Sequence, residues 1–176
     1  MPEYIKTKIT SEKAHHILSS PPGLFRKKRA IDKIELFYLP SYIITVQVKT
    51  DKKIQNQSLC IDAVLGSFAF YTSSKTSSTP ECKFSTCPFL LQEEAIVNMA
   101  LEEYRRHLLH SGLKMRYRFQ VQKVISIERL FYPFWIGYFS RKNKLDFDVV
   151  DAVGGEHQGV ALRPVFIKAL LEAGGS

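Results

Sequence analysis

One short segment of the sequence brings together side chains that could act on a substrate. Four carboxylates and an imidazole fall between residues 146 and 157: Asp146, Asp148, Asp151, Glu156 and His157. Paired carboxylates can hold Mg²⁺, and a carboxylate beside an imidazole can transfer protons as a general acid or base. This segment therefore supports a hydrolase-type enzyme as one hypothesis.

The local pattern favours a simpler interpretation of the same segment. Leu145, Phe147 and Val149 alternate with Asp146 and Asp148, which is the two-residue period of a β-strand. The apolar set then lies on one face, and the carboxylates lie on the solvated face. Because the chain has no Gly-rich phosphate loop and no Gly-x-Ser-x-Gly elbow, we rank the enzyme third and predict no catalytic residue.

Cysteine and histidine spacings leave several alternatives open. Cys82 and Cys87 have no second Cys or His pair nearby, whereas zinc usually takes four ligands. A structural metal, a disulfide or redox pair and plain free thiols are the alternatives, of which we favour free thiols. His107 and His110 could share one face of a predicted helix, but a solvated helix face explains them better. We predict no metal site and no cofactor.

Positive charge is the stronger signal for binding. The chain of 176 residues carries a net charge of +8, with 13 basic against 7 acidic groups in residues 1–88 and 12 against 10 in residues 89–176. Such an excess attracts nucleic acid, anionic lipid or an acidic protein partner. The candidate binding residues are basic clusters and one tryptophan: Arg26, Lys27, Lys28, Arg29, Arg116, Arg118, Arg141, Lys142, Lys144 and Trp135.

Aromatic residues beside these cations have two interpretations. Phe131, Tyr132, Phe134 and Trp135 could stack on single-stranded bases if they are exposed, while the cations contact phosphates. The alternative, which we favour, is that the rings form the core between a sheet and a helix. Basic hairpin tips also keep hairpins soluble and prevent edge-to-edge pairing of strands.

An internal repeat organises the chain. Residues 34–40 and 127–133 both begin Ile-Glu and end in proline. Each segment continues through an aromatic residue, an apolar stretch and a lysine-rich tip, and closes on Asp-Ala-Val-x-Gly at residues 62–66 and 151–155. From proline to aspartate there are 22 residues in one copy and 18 in the other, and the difference falls in the polar tip.

The repeat predicts a β-hairpin in each copy. Proline is expected at the entry of the first strand, and the Asp…Gly ending is expected to form a turn into a third strand over residues 68–71. Another strand is expected over residues 115–122, where apolar and basic residues alternate. Helices are expected over residues 12–19 with Ser11 as N-cap, over 92–110 with Gly112 after it, and over 164–173.

These elements predict an α+β fold. Two tandem helix-plus-antiparallel-sheet units, residues 1–72 and 89–176, flank a Ser/Thr/Pro-rich linker at 73–88, and a C-terminal helix closes the second unit. Two separate small domains are one alternative. We favour a pseudo-dimer, because each unit alone is small and pairing buries more surface.

Residues 131–155, with aromatic-Pro-x-Trp, a polar tip and Val-Asp-Ala-x-x-Gly, resemble PepSY-like small α/β modules. In those modules a helix precedes a three-stranded antiparallel sheet, and the hairpin ends in Val-Asp-Ala-x-Thr-Gly; here Gly154 and Leu65 stand at the threonine position. A group of bacterial domains with Pro-x-Trp and a glycine-rich tail is similar as well. The PepSY-like resemblance implies an inhibitory or binding unit, often outside the cytoplasm.

The function expected from the sequence is a non-catalytic binding or adaptor protein. It would recognise a macromolecular partner, most plausibly a protein, through a sheet face, a sheet edge or the basic hairpin tips. A nucleic-acid-binding protein using the basic patches is the alternative. No apolar run approaches the roughly 20 residues of a membrane span, and no signal-peptide pattern opens the sequence, so we expect a cytoplasmic protein.

Overall fold

Runs of β-strands separate three α-helices along the described chain in a computed structural model. The structure describes residues 2–20, 28–51, 53–72, 74–80, 83–115 and 118–174. The described part contains three α-helices and a large β-sheet, so the expected mixture of helix and sheet is confirmed.

The helices form near their predicted positions: α1 is Ser11–Ser19, α2 is Glu93–Met115 and α3 is Arg163–Gly174. Thr10 rather than Ser11 caps α1, since its hydroxyl accepts a hydrogen bond from the Lys13 N–H at 3.4 Å. Gly112 was expected to follow α2 but lies inside it. One glycine costs a helix only about 1 kcal/mol, which the good helix formers around it offset.

The strands of the described residues are β1 (Glu3–Ile5), β2 (Lys33–Thr50), β3 (Ile54–Asp62), β4 (Phe68–Phe70), β5 (Thr76–Ser77), β6 (Ser85–Thr86), β7 (Phe119–Arg141) and β8 (Lys144–Asp151). β3 lies between β4 and β2, and β2 and β7 are hydrogen-bonded neighbours. β1 joins β7 to β5, while β6 pairs with β2 and β8 with β7.

Two expectations about strand ends are wrong. Pro40 and Pro133 lie inside β2 and β7, not at strand entries. A proline fits inside a strand where no ladder bond requires its missing N–H, and both prolines still accept through their carbonyls, from Ala63 and Ala152. The strand expected over residues 115–122 is not separate, because from Phe119 onward it is the first part of β7.

Both predicted hairpins are present in matching register. β2 and β3 pair from Ser41↔Asp62 to Lys49↔Ile54. β7 and β8 pair from Phe134↔Asp151 to Arg141↔Lys144, closed by a two-residue turn with φ of 50° at Lys142 and 60° at Asn143. In each hairpin the residue after the repeated proline therefore faces the repeated aspartate, and the length difference between the copies lies at the tip.

The Asp-Ala-Val-x-Gly segments form the turns that the sequence predicts. The Asp62 carboxylate accepts hydrogen bonds from the N–H groups of the next residues, Val64, Leu65, Gly66 and Ser67. Asp151 accepts in the same way from Val153 and Gly154. Gly66 and Gly155 close the two turns with φ of 82° and 79°, a region that suits glycine.

The chain divides into two compact units that do not follow chain order. Compact unit 1 is Met1–Pro2, Pro40–Ser73 and Phe89–Leu130, and compact unit 2 is Glu3–Leu39, Ser74–Pro88 and Phe131–Ser176. Each unit thus combines the helix of one repeat with the hairpin of the other. The boundaries at residues 72 and 88 stay a prediction about the extent of the repeats.

Each compact unit has an apolar core between its helix and its hairpin. In compact unit 1 the core includes Tyr42, Ile44 and Leu59 from the hairpin with Ile96 and Ala100 from α2. In compact unit 2 the core joins Ala14 of α1 to five residues outside the helix: Ile9, Leu36, Tyr38, Trp135 and Ala152. An amphipathic helix laid on the apolar face of a two-stranded ribbon is the common plan.

The chain just before each helix is bound to the turn in the same way. In compact unit 1 the Ala63 carbonyl accepts from the N–H groups of Leu90 and Leu91. In compact unit 2 the Ala152 carbonyl accepts from those of Lys8 and Ile9. An aromatic ring completes each arrangement.

Tyr42 and Trp135, each two residues after a repeated proline, provide those rings. The Tyr42 hydroxyl donates to the Leu91 carbonyl at 3.3 Å, and the Trp135 indole N–H donates to the Ile9 carbonyl at 2.8 Å. Both ring systems are buried. The two aromatic positions of the repeat therefore anchor the segments that lead into the helices.

Replacing the turn aspartate of compact unit 1 should destabilise the fold. Asp62→Ala leaves four turn N–H groups without their acceptor in a region where Asp62 is only 4% exposed. We expect a loss of about 2–4 kcal/mol in the free energy of unfolding, measured by urea denaturation. Asn56→Ala, at an exposed position of β3, is the control and should change stability little. Equal stability of the two variants would contradict the role of the turn.

Candidate functional site

The tip of the β7–β8 hairpin presents the most complete cluster of predicted binding residues. Arg141, Lys142 and Lys144 are all exposed at the two-residue turn. Leu145 follows them and is 74% exposed, although the strand pattern predicts it on the apolar face. Arg141 has only a long contact of 3.9 Å to Asp146. Three exposed cations and an exposed aliphatic side chain therefore lie within five consecutive residues, with Leu145 on the opposite face of the ribbon from Arg141 and Lys144.

The tip of the β2–β3 hairpin has a similar composition. Lys49 and Lys53 are exposed, and Ile54 is 61% exposed at the position after the tip. Thr50 closes this loop through its hydroxyl, which donates to the Lys53 carbonyl at 3.1 Å and accepts from the Lys53 N–H at the same distance. The four-residue tip also contains Lys52, which lies outside the described residues.

Of the other predicted cations in the described structure, only Arg118 lies at one of these tips, that of β2–β3. Lys28 and Arg118 are exposed, and the Arg118 N–H donates to the Asp51 carboxylate at 3.3 Å. Arg26, Lys27 and Arg116 lie outside the described residues. The basic groove expected from residues 26–29 with Arg116 and Arg118 therefore stays a prediction.

Trp135, also predicted as a binding residue, is a core side chain. It is 8% exposed and belongs to the core of compact unit 2. Phe134 beside it is 7% exposed and packs edge-on against Phe166, with ring centroids 5.0 Å apart. Neither ring offers a free face on which a base could stack.

Arg29 acts as a structural cation in compact unit 2. Its guanidinium pairs with the Asp148 carboxylate at 2.5 Å and donates through Nε to the Leu18 carbonyl at 2.8 Å. It also lies 4.1 Å above the Phe139 ring centroid. Since only about a fifth of its side chain is exposed, Arg29 joins α1 to the hairpin rather than facing a partner.

Arg163, at the start of α3, holds the second strand carboxylate. Its guanidinium pairs with Asp146, donates to the Phe147 carbonyl at 2.9 Å and lies 4.5 Å above the Phe147 ring centroid. Burial raises the pKa of Asp146, but hydrogen bonds from Arg163 and the Phe147 N–H, with the charges of Arg163 and Arg141, outweigh it. The pKa of Asp146 therefore lies below its ordinary value.

The carboxylates of residues 146–151 thus serve the fold. Asp146 and Asp148 are largely shielded and paired with arginines, so the expectation of a solvated carboxylate face is wrong. Asp151 accepts turn N–H groups and the Tyr132 hydroxyl, the latter at 3.0 Å. Carboxylates neutralised in this way are poor Mg²⁺ ligands, and no group of three or more His, Cys, Asp or Glu side chains within the described ranges could hold a metal ion.

His157 lies against Asp148 and α1. Its Nε2 is 3.1 Å from the Ile17 carbonyl, and its Nδ1 is 3.5 Å from Asp148 Oδ2. Nδ1 is shielded from solvent and makes no hydrogen bond within the described structure. Beside this histidine a cavity of about 290 Å³ opens in compact unit 2.

The arginine partners were not predicted from the sequence. Arg29 stands 119 residues before Asp148, and Arg163 stands 17 residues after Asp146. Periodicity predicts which face a carboxylate occupies but contains no information on a partner so far away. The one available signal is the Arg163-Pro164 pair, which places a cation at the first turn of α3, beside the end of the hairpin.

No described helix has the length and apolarity that crossing a membrane requires. Comparison with family models, with curated proteins and with solved structures found no match to this chain.

Acid should weaken compact unit 2 through Asp146. Because its folded pKa lies below the ordinary value of 3.8, its stabilising contribution is complete above that value and is lost as the pH falls through the folded pKa. Asp146→Asn should therefore lower the melting temperature near neutral pH and flatten the decline of that temperature below about pH 4. Circular dichroism melts across this range measure both effects. The control is Glu156→Gln, at an exposed position. Parallel curves for wild type and Asp146→Asn would contradict the ion pair's role.

Proposed function

We propose that this protein is a non-catalytic binding protein whose β7–β8 tip recognises an acidic protein partner. The observation that carries the proposal is the exposed group of Arg141, Lys142 and Lys144 at the turn, next to the exposed Leu145 in the sequence. Among the described residues, the only carboxylate contact of these cations is the 3.9 Å contact between Arg141 and Asp146. Their charge is therefore available to a partner.

The chemistry of the tip favours a protein over nucleic acid. Protein interfaces combine apolar anchors with a polar or charged rim, and this tip presents both kinds of side chain, the exposed Leu145 and three cations. Phosphate contacts need only the cations, and base stacking needs aromatic rings that this tip lacks. Charges at the rim speed the encounter with an acidic surface and favour acidic partners over others.

The rigidity of the hairpin supports this role. Eight residue pairs align β7 and β8, and a turn of only two residues joins the strands at the tip. The strands continue into the core of compact unit 2, so the backbone positions that carry the tip side chains are fixed. Preorganised side chains lose less entropy on binding than flexible ones.

Duplication of an ancestral module is part of the proposal. The matching registers, turns and helix attachments support two related copies, and a pseudo-dimer of those copies stays our interpretation of the fold. The resemblance to PepSY-like binding modules agrees with a docking role. Nucleic acid is the alternative partner, favoured by the net charge of +8.

Removing the tip cations should abolish partner capture. The variant Arg141→Ala/Lys142→Ala/Lys144→Ala should lose at least 90% of any specific partner in quantitative pull-downs from the native host, and Leu145→Ser should lose most of it. The matched control, Lys13→Ala/Lys123→Ala/Lys168→Ala, removes the same charge at exposed positions elsewhere and should retain the partner.

Two results would contradict the proposal. The first is equal loss in the tip and control variants, which would indicate attraction to net charge alone. The second is capture that disappears after nuclease treatment, accompanied by salt-dependent binding of oligonucleotides to the purified protein. That result would establish the nucleic-acid alternative.

A further inference from the structure

The two compact units differ in how the outer edges of their hairpins are hydrogen-bonded. In compact unit 2, β8 pairs with β7 on one side and presents the backbone groups of every second residue on the other. The bonds from the Gln158 N–H to the Val149 carbonyl and from the Asp151 N–H to the Glu156 carbonyl lie on that outer side. The residues whose backbone faces outward are therefore the odd-numbered ones, from 145 to 151.

Most of these outward groups on β8 already have partners. The N–H groups of Phe147 and Val149 donate to the carboxylates of the aspartates before them, at 2.9 and 3.1 Å. The Phe147 carbonyl accepts from Arg163 at 2.9 Å, and the Val149 carbonyl accepts from the Gln158 N–H at 2.8 Å. From Phe147 onward this edge is therefore closed to pairing with another strand.

The outer edge of compact unit 1 is formed by β4 and is arranged differently. β4 ends the strand order of the sheet, and no strand within the described ranges lies beyond it. The bonds from the Asp62 N–H to the Ser67 carbonyl and from the Tyr71 N–H to the Ser58 carbonyl show that odd-numbered residues here face β3.

The backbone groups of Phe68 and Phe70 consequently face away from β3. Within the part of the chain that the structure describes, neither N–H and neither carbonyl has a hydrogen-bond partner. Ala69 between them is exposed, and Phe70 is 45% exposed. The edge therefore presents two donors and two acceptors in the spacing that an added antiparallel strand requires.

β4 also lacks the charges that commonly protect an open edge. Residues 63–74 contain no Asp, Glu, Lys or Arg, and no proline. The rings of Phe68 and Phe70 lie on the face covered by α2, with centroids 5.2 Å apart, and the Phe70 ring lies 4.7 Å from that of His107. Only the shortness of β4 limits pairing at this edge.

This edge is complementary to itself. Antiparallel pairing of two β4 strands about a two-fold axis at Ala69 places Phe68 opposite Phe70 of the second copy, and each such pair exchanges two hydrogen bonds. Aromatic residues in opposite positions stabilise paired strands. The two Ala69 side chains then meet on the other face, where their small size permits close approach. Because residues 63–74 are uncharged, no like charges of this segment meet across the axis.

We propose that β4 pairs antiparallel with β4 of a second copy of this chain. Three residues on each side make a small interface, so the dimer is weak and depends on protein concentration. The closed edge of β8 takes no part in it. This surface belongs to compact unit 1 and the basic β7–β8 tip to compact unit 2, so the dimer is tested independently of the protein-docking role.

Sedimentation equilibrium of the full chain measures the association. Between about 10 µM and 1 mM the weight-average mass should rise from that of one chain toward that of two. Raising the salt concentration should not dissociate the dimer, because no ion pair holds this edge. The mass of a single chain throughout the range, or association that salt abolishes, would overturn the proposal.

Exchanging charge at Ala69 tests the two-fold pairing itself. Ala69→Lys and Ala69→Glu each bring two like charges together at the axis, so each variant alone should associate at least tenfold more weakly than wild type. An equimolar mixture should recover the association, because opposite charges then meet. The control, Asn98→Lys at an exposed position of α2, should associate like wild type. A mixture as weak as its components, or Ala69 variants that match the control, would overturn the pairing.

Amide hydrogen exchange locates the contact without any variant. The N–H groups of Phe68 and Phe70 should exchange several-fold more slowly at 1 mM than at 10 µM protein. The Ala69 N–H faces β3 and is the internal reference, protected at both concentrations. Circular dichroism checks the fold of the Ala69 variants, and if they do not fold, these exchange rates decide the question. Association that leaves the rates of Phe68 and Phe70 unchanged would place the contact elsewhere and refute the proposal.

Discussion

The attachment of each helix to its hairpin depends on one alanine carbonyl. Ala63 accepts from two consecutive N–H groups ahead of α2, and Ala152 does the same ahead of α1. The turn holds each carbonyl in place because an aspartate binds the amides that follow it and a glycine takes a left-handed conformation. Without that fixed acceptor the segment leading into each helix would bury unpaired donors, and the helix would lose its position over the apolar face of the hairpin.

The two compact units share this attachment of helix to hairpin but differ in the elements that lie beside each hairpin. The first fills the edge of its hairpin with a third strand, while the second leaves that edge to a cavity and to the start of α3. Arginines pair with the strand carboxylates of the second hairpin, where Asp146 and Asp148 would otherwise carry partly shielded, unpaired charge. Under the proposed duplication, function is best sought where the two copies differ, because the parts that agree serve the fold.

The sequence predicts the hairpins, the turns and the helices because these depend on neighbouring residues. Asp62 and Gly66 act within a few residues, and the alternation along β8 is local as well. It does not predict that α1 lies on the second hairpin and α2 on the first. The apolar face of a helix does not specify which of two apolar hairpin faces it packs against. The partners of Asp146 and Asp148 were missed because both arginines lie outside the strand pattern. Leu145 was placed on the apolar face, because periodicity gives the face of a residue but not whether another element covers that face.

The exchange of helices between repeats has a consequence for how the chain reaches its native state. Compact unit 2 needs residues 3–39 together with residues 131–176, so more than a hundred further residues must be synthesised before α1 meets its hairpin. Closing so long a loop costs entropy before any contact repays it, which slows folding. Until then the apolar face of α1 is exposed to solvent. A chaperone that binds this face during synthesis would improve the yield of folded protein.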